Sequence, residues 1–214
     1  HPVAASRLLE AMARKLHASL GPARARGFSK PDLVTIALVP ASAGSDEAAT
    51  TTLAASLRDA LARRFGPTLW LDERAARDAF ADGTMTRLEN AFYRSKLTGW
   101  MAQQEENYRF ILLQADASGG AWSRVCVSQA DRVAVVARVQ TARDDGDDAA
   151  SSESSRAKRD AAQPSRAERR LLWRRRRGAA VELILVHDPG AAPEETRWWR
   201  ASRPEVQRHH MLRL

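Results

Sequence analysis

The sequence predicts an α/β fold in three layers, built on a mainly parallel sheet. Two observations carry this. Short, nearly all-apolar runs with β-branched residues, such as LVTIALVP (33–40) and VELILVH (181–187), suit strands buried on both faces. Between them lie amphipathic segments of helical period, closed by glycine and proline. Such alternation places helices on the faces of one sheet. At 214 residues, one domain plus extensions is expected. Hydrophobic residues at 44% and charged residues at 28% exclude a wholly disordered or collagenous chain. No stretch approaches the ~20 apolar residues of a membrane span. The single cysteine, Cys126, rules out an internal disulfide framework and fits a reducing compartment. A net charge of +8 and a pI of about 10.6 permit contact with phosphates of nucleic acid or lipid without choosing between them.

The elements follow in order. Leu8, Met12, Leu16 and Leu20 share one face of a predicted first helix, which Gly21-Pro22 ends. The chain opens on His1 rather than Met and shows no signal-peptide core, so it reads as a segment of a longer polypeptide. Residues 33–40 are the first strand. Asp46 and Glu47 then open a helix, where their charge suits the macrodipole, and Leu53, Leu57, Leu61 and Phe65 form its stripe. TLWL (68–71) is the second strand, and residues 72–82 hold a short helix. Thr86 and Glu89 have capping-box spacing for the next helix, with Leu88, Phe92, Trp100 and Met101 on its buried side and Gly99 as an interruption. FILLQ (110–114) is the third strand, followed by Asp116, a Gly119-Gly120 turn and a short helix through Cys126. RVAVVA (132–137) and VELILVH (181–187) are the fourth and fifth strands. Between them, residues 143–163 lack any large apolar side chain, which predicts a disordered insertion inside the domain. Residues 164–177 then read as a helix.

The spacing from third to fourth strand carries the strongest chemical signal. A strand ends in Asp116, a glycine turn and short helix follow, and Ala130-Asp131 precedes the next strand. Partitioning-type P-loop ATPases have this layout, with a carboxylate at the sheet edge beside the phosphates and magnesium. Their phosphate cradle requires glycine amides and a lysine before a helix. Here the equivalent loop, PASAGSDEAAT (40–50), has one glycine, no lysine and two carboxylates that would repel a triphosphate. The fold class is therefore a degenerate P-loop or Rossmann-like one. Asp116 is at most a vestigial cofactor-binding residue, and its plainer role is to cap a turn. GFSKP (27–31) fails as a nucleophile elbow, having proline at the last position and preceding a strand. No Cys or His pair has zinc-ligand spacing, although His187 at a strand end could meet His209 and His210. Cys126, among apolar residues, reads as a buried, inert thiol. Arg174, Arg175, Arg176 and Arg177, with Arg166, Arg169 and Arg170, form the densest charge cluster. They are candidates for an anionic lipid surface or, alternatively, a solvated helix end. Nucleic acid is disfavoured, because Trp173 alone interleaves with them. Trp198 and Trp199 are expected against the sheet edge or a following domain.

Several of these stretches together resemble neuropathy target esterase-type lysophospholipases. They are GFSKPDLVTIALVPAS (27–42), LTGWMAQQEENYRFILLQAD (97–116), WSRVCVSQADRVAVVA (122–137), VELILVHDPG (181–190) and TRWWRASRPEVQRHHMLRL (196–214). The overall pattern, with its low-complexity insertion, is most similar to the fungal members. The resemblance implies that residues 1–26 close a preceding cyclic-nucleotide-binding-like domain and its linker. Residues 27–214 would then be the P-loop-like region before a catalytic patatin-like domain. It also implies a parent enzyme that deacylates phosphatidylcholine and lysophosphatidylcholine at the cytosolic face of the endoplasmic reticulum membrane. That family uses a serine-aspartate dyad within G-x-S-x-G and an aspartate-glycine pair. Neither occurs here in context, so no catalytic residue, metal or cofactor is assigned to this chain. The expected role is a scaffold or regulator of the neighbouring hydrolase, with the two flanking domains as partners. The alternatives are a nucleotide-binding regulatory module and a basic membrane-surface module.

Overall fold

The computed structural model describes residues 34–139, 159–187 and 196–213. The predicted first helix, residues 27–31 and most of the 143–163 stretch lie outside the described residues. The described elements are β1 (Val34–Pro40), α1 (Ser45–Phe65), β2 (Thr68–Leu71), α2 (Glu73–Asp78), a 3-10 turn (Thr84–Arg87), α3 (Ala91–Gln104), β3 (Phe110–Gln114), α4 (Ala121–Gln129), β4 (Arg132–Val139), α5 (Arg166–Trp173), β5 (Ala180–His187), α6 (Thr196–Ala201) and β6 (Arg208–Arg213).

The strands form one six-stranded sheet in the order β2-β3-β1-β4-β5-β6, and every pairing is parallel. Strands with helices on both faces must be apolar on both sides, which is why the runs read as continuous rather than alternating. In β1, Ile36 and Leu38 face one core while Ala37 and Val39 face the other. The first core is covered by α1, whose Leu53, Leu57 and Leu61 are fully buried against the sheet. Burying each such leucine is worth roughly 1.5–3 kcal/mol. Gly66, at φ 125°, and Pro67 end the helix and turn the chain into β2. Apolar residues of α2 to α6 cover the opposite face, among them Ala76, Leu97, Trp122, Leu171 and Trp199.

The three-layer architecture and the five predicted strands are present, with differences in detail. Asn90 caps α3, its Oδ1 accepting from the Phe92 N–H at 2.9 Å. Thr86 belongs instead to the 3-10 turn, where its hydroxyl donates to the Gly83 carbonyl. Gly99 does not interrupt α3, which runs on to Gln104. Phe92 is 70% exposed rather than buried, because the helix starts one residue before it and turns it outward. The helix predicted at 164–177 is shorter, ending at Trp173. Ala162, near the end of the stretch read as an insertion, is buried, and its carbonyl accepts from Arg203 and Ser202. Trp199 joins the core rather than an outer edge.

Candidate functional site

In an open α/β sheet, ligands bind beyond the carboxyl ends of the strands, where successive connections leave in opposite directions. Here that place lies between β1 and β4: β1 leads outward to β2, and β4 leads the other way to β5. Pro40 ends β1, and the loop Ser42–Gly44 delivers the chain to the N-terminus of α1, with Gly44 at φ 74°. Backbone N–H groups point into such a place and normally take an anion.

Asp46 and Glu47 fill it. The buried Asp46 carboxylate accepts from the Ser42 hydroxyl at 2.6 Å and from the Arg138 N–H, at the end of β4, at 2.6 Å. Glu47 accepts from the Gly44 N–H at 3.3 Å and from the Ala117 N–H, beyond β3, at 3.0 Å. Two side chains of one helical turn thus bind amides from the loops after β1 and β3 and from the end of β4. Read from the sequence alone, these carboxylates repel a phosphate. In the structure they also occupy the Gly44 amide, in the loop where a phosphate would bind, and charge-assisted bonds of this kind are roughly twice as strong as neutral ones.

Asp116 sits at the end of β3, as the sequence placed it, and folds back on its own turn. It accepts from the Ser118 N–H at 2.8 Å and from the Ser118 and Ser123 hydroxyls. Burial pushes its carboxyl upward, but the hydrogen bonds from Ser118 and Ser123 outweigh that and leave it below the ordinary carboxylate range. The turn-capping role is the one the geometry displays. Asp131, at the opposite end of the sheet, receives the Thr35 N–H at 3.2 Å and Arg176 at 3.2 Å, so it ties β1 to the approach to β5.

The arginine run divides. Arg174 lines a groove of about 820 Å³ with Arg124, Arg166, Arg169 and Arg170. Arg175 turns inward and donates to the Leu172 carbonyl, closing α5. Arg176 is engaged by Asp131, and Arg177 stays exposed in the following turn. The histidines do not converge. His209 and His210 pair in register with Leu183 and Ile184, whereas His187 lies opposite Arg213. Four residues of strand, at ~3.3 Å each, separate His187 from the partner of His209. Cys126 is fully buried, and burial raises its thiol well above the ordinary value of 9.0, the Asp116 charge adding to this.

Sequence reasoning missed two charged clusters. On the α1 face of the sheet, Glu182 accepts from Arg132 at 2.6 Å and from His210 at 2.9 Å. On the other face, Glu168 and Arg203 form a solvent-free pair. Both join residues distant in sequence, and the only available signal was a charged residue inside an apolar pattern. Among the described residues, no group of three or more His, Cys, Asp or Glu could hold a metal ion. No helix among them is long and apolar enough to cross a membrane.

A parallel α/β domain whose switch-point crevice is plugged by its own carboxylates is a P-loop-like module with a degenerate phosphate loop. The chain belongs to the family described as the Neuropathy Target Esterase family P-loop like domain, whose profile matches residues 32–214. It is 36% identical over 122 residues to a Lysophospholipase NTE1 of Cryptococcus neoformans, covering 56% of this chain and 6% of that protein. Over 191 residues it is 27% identical to the Lysophospholipase NTE1 of Mycosarcoma maydis, covering 88% of this chain and 9% of the relative. A third relative, Patatin-like phospholipase domain-containing protein 6 of Pongo abelii, is 29% identical over 150 residues, or 64% and 10% of the two chains. The chain thus spans a tenth or less of the length of these relatives. No solved structure matches it significantly.

Proposed function

We propose that this chain is the catalytically silent P-loop-like module of a lysophospholipase, and that it scaffolds or regulates a patatin-like hydrolase on the same polypeptide. The observation that carries this reading is the crevice between β1 and β4, where Asp46 and Glu47 put two carboxylates at the phosphate-loop position and bind the amides of Arg138, Gly44 and Ala117. The relatives' names support a lysophospholipase or patatin-like phospholipase as the parent; in this reading the parent deacylates lysophosphatidylcholine and phosphatidylcholine at the cytosolic face of the endoplasmic reticulum. In this reading the module turns over nothing itself. Its carboxylates hold the loops after β1 and β3 and the end of β4 in one arrangement, and that fixed edge supports the neighbouring domains.

Two measurements test it. Calorimetric titration of the chain with ATP or GTP and magnesium gives no heat at millimolar ligand; saturable heat would make it a nucleotide-binding regulatory module instead. In the parent enzyme, Asp46→Ala with Glu47→Ala lowers lysophosphatidylcholine deacylation although both positions lie outside the hydrolase. Unchanged deacylation by that variant contradicts the scaffold.

A further inference from the structure

We propose that the outer face of α5, with the groove it forms against α4, is a docking surface for an anionic lipid bilayer. Docking is a separate property from hydrolase support, and either stands if the other fails.

The face is built by helical spacing. Arg166, Arg169, Arg170 and Trp173 stand at i, i+3, i+4 and i+7, which brings them to one side of the helix, and all four are exposed. Glu168, Leu171 and Leu172 occupy the other side and are buried. Trp173 is 90% exposed, above Phe92 and Met211, the other large apolar side chains left in solvent among the described residues. An indole held out among arginines is the arrangement found where a protein meets headgroups: the ring sits at the interface and the cations reach the phosphates.

The arginines are available. Arg166, Arg170 and Arg174 make no ion pair with a described carboxylate, and the groove between them and Arg124, about 820 Å³, has room for an anionic headgroup. Arg124 and Arg174 also line a second groove with Arg94 and Glu89, where the Glu89 carboxylate pairs with Arg124, so the unpaired positive charge is concentrated on the α5 side, at Arg166, Arg170 and Arg174. The platform is rigid. Glu168, on the inner side of α5, is clamped by Arg203, and a Cβ at Gly119 would stand 3.4 Å from Ala167, so α5 lies directly on the glycine turn. Charge of this density also attracts nucleic acid, but a single-strand reader stacks successive bases on several aromatics. The groove is lined by one, and a lone indole beside snorkelling arginine stems fits a broad, flat, negative surface better.

The test is flotation of the 214-residue chain with phosphatidylcholine vesicles, with and without phosphatidylserine, across a salt series. Binding is expected only with phosphatidylserine and should weaken as salt rises. Each arginine contributes roughly fivefold, so Arg166→Gln, Arg170→Gln and Arg174→Gln combined should lower the partition on the order of a hundredfold. Trp173→Phe keeps the fold and removes the fluorescence component quenched by brominated acyl chains. Circular dichroism reports folding of every variant. Equal binding to neutral vesicles, wild-type affinity in the triple variant, or brominated-lipid quenching that survives Trp173→Phe would each overturn the proposal. Retention on single-stranded RNA without any vesicle binding would reassign the face to nucleic acid.

Discussion

The Arg203 guanidinium meets the Glu168 carboxylate at two points and out of contact with solvent: Nε is 2.7 Å from Oε1 and Nη2 is 2.8 Å from Oε2. Its remaining nitrogen donates to the Ala162 carbonyl at 2.6 Å, and its Cζ lies 4.8 Å from the centroid of the Trp199 ring. Burial pushes the Glu168 carboxyl upward, and the hydrogen bonds and charge of Arg203 pull against it. One side chain therefore joins α5, the segment before it and the chain leading to β6.

Removing one partner of a buried pair leaves the other charge uncompensated. Arg203→Ala should cost about 3–5 kcal/mol. Arg203→Met with Glu168→Leu, which removes both charges, should recover most of that. Urea denaturation midpoints decide: a double variant as unstable as the single one would show that packing, not charge, governs the site.

Asp46→Ala leaves the Ser42 hydroxyl and the Arg138 N–H without their acceptor. The loss should be about 1–3 kcal/mol. Asp46→Asn keeps an oxygen for the amide and should lose less. Chemical denaturation of the two variants, with hydrogen exchange at Arg138, checks both the size and the location of the effect.

Acid stability should depend on Glu182. Burial raises its carboxyl, but hydrogen bonds from His210 and Arg132 prevail and place it below the ordinary 4.5. The unfolded chain then takes up the proton first as pH falls. The stabilisation is fully present above the unfolded value and is lost as pH drops through the folded one. As pH falls through and below the ordinary carboxylate value of 4.5, Glu182→Gln should flatten the fall in stability. A profile parallel to that of the parent chain would exclude Glu182 as a contributor. Asp116, also depressed, should keep some slope in the variant.

Cys126 should resist thiol reagents in the native state. It has no solvent contact, and burial disfavours the thiolate that reacts. Labelling should follow the unfolding transition in urea; modification at native concentrations of denaturant would show local opening of α4.

The central strands were legible in the sequence because burial on both faces leaves an uninterrupted apolar run, as in Val34–Pro40. β6 was not. RHHMLR carries two arginines and two histidines, which an edge strand tolerates because only one side is paired. The plugged crevice was half legible. Asp46 and Glu47 could be read as hostile to phosphate, but their donors, Arg138 and Ala117, come from other strands' ends and have no local signature. The Glu168–Arg203 pair is hidden for the same reason, since partners far apart in sequence meet only once the fold exists. The outward face of α5 was present as spacing, but exposure of Trp173 depended on which side Leu171 and Leu172 would bury.

The position of β1 sets the order in which the polypeptide can become stable. It is the first described strand and lies between β3 and β4, so neither neighbour exists when it is synthesised. Through the emergence of α1, β2, α2 and α3, both rims of a nearly all-apolar ribbon stay open. Pairings this remote in sequence form slowly. On the ribosome, the growing chain therefore carries an unmatched hydrophobic strand through more than half the domain, and chaperone contact is expected there until Arg132–Val139 closes the second rim.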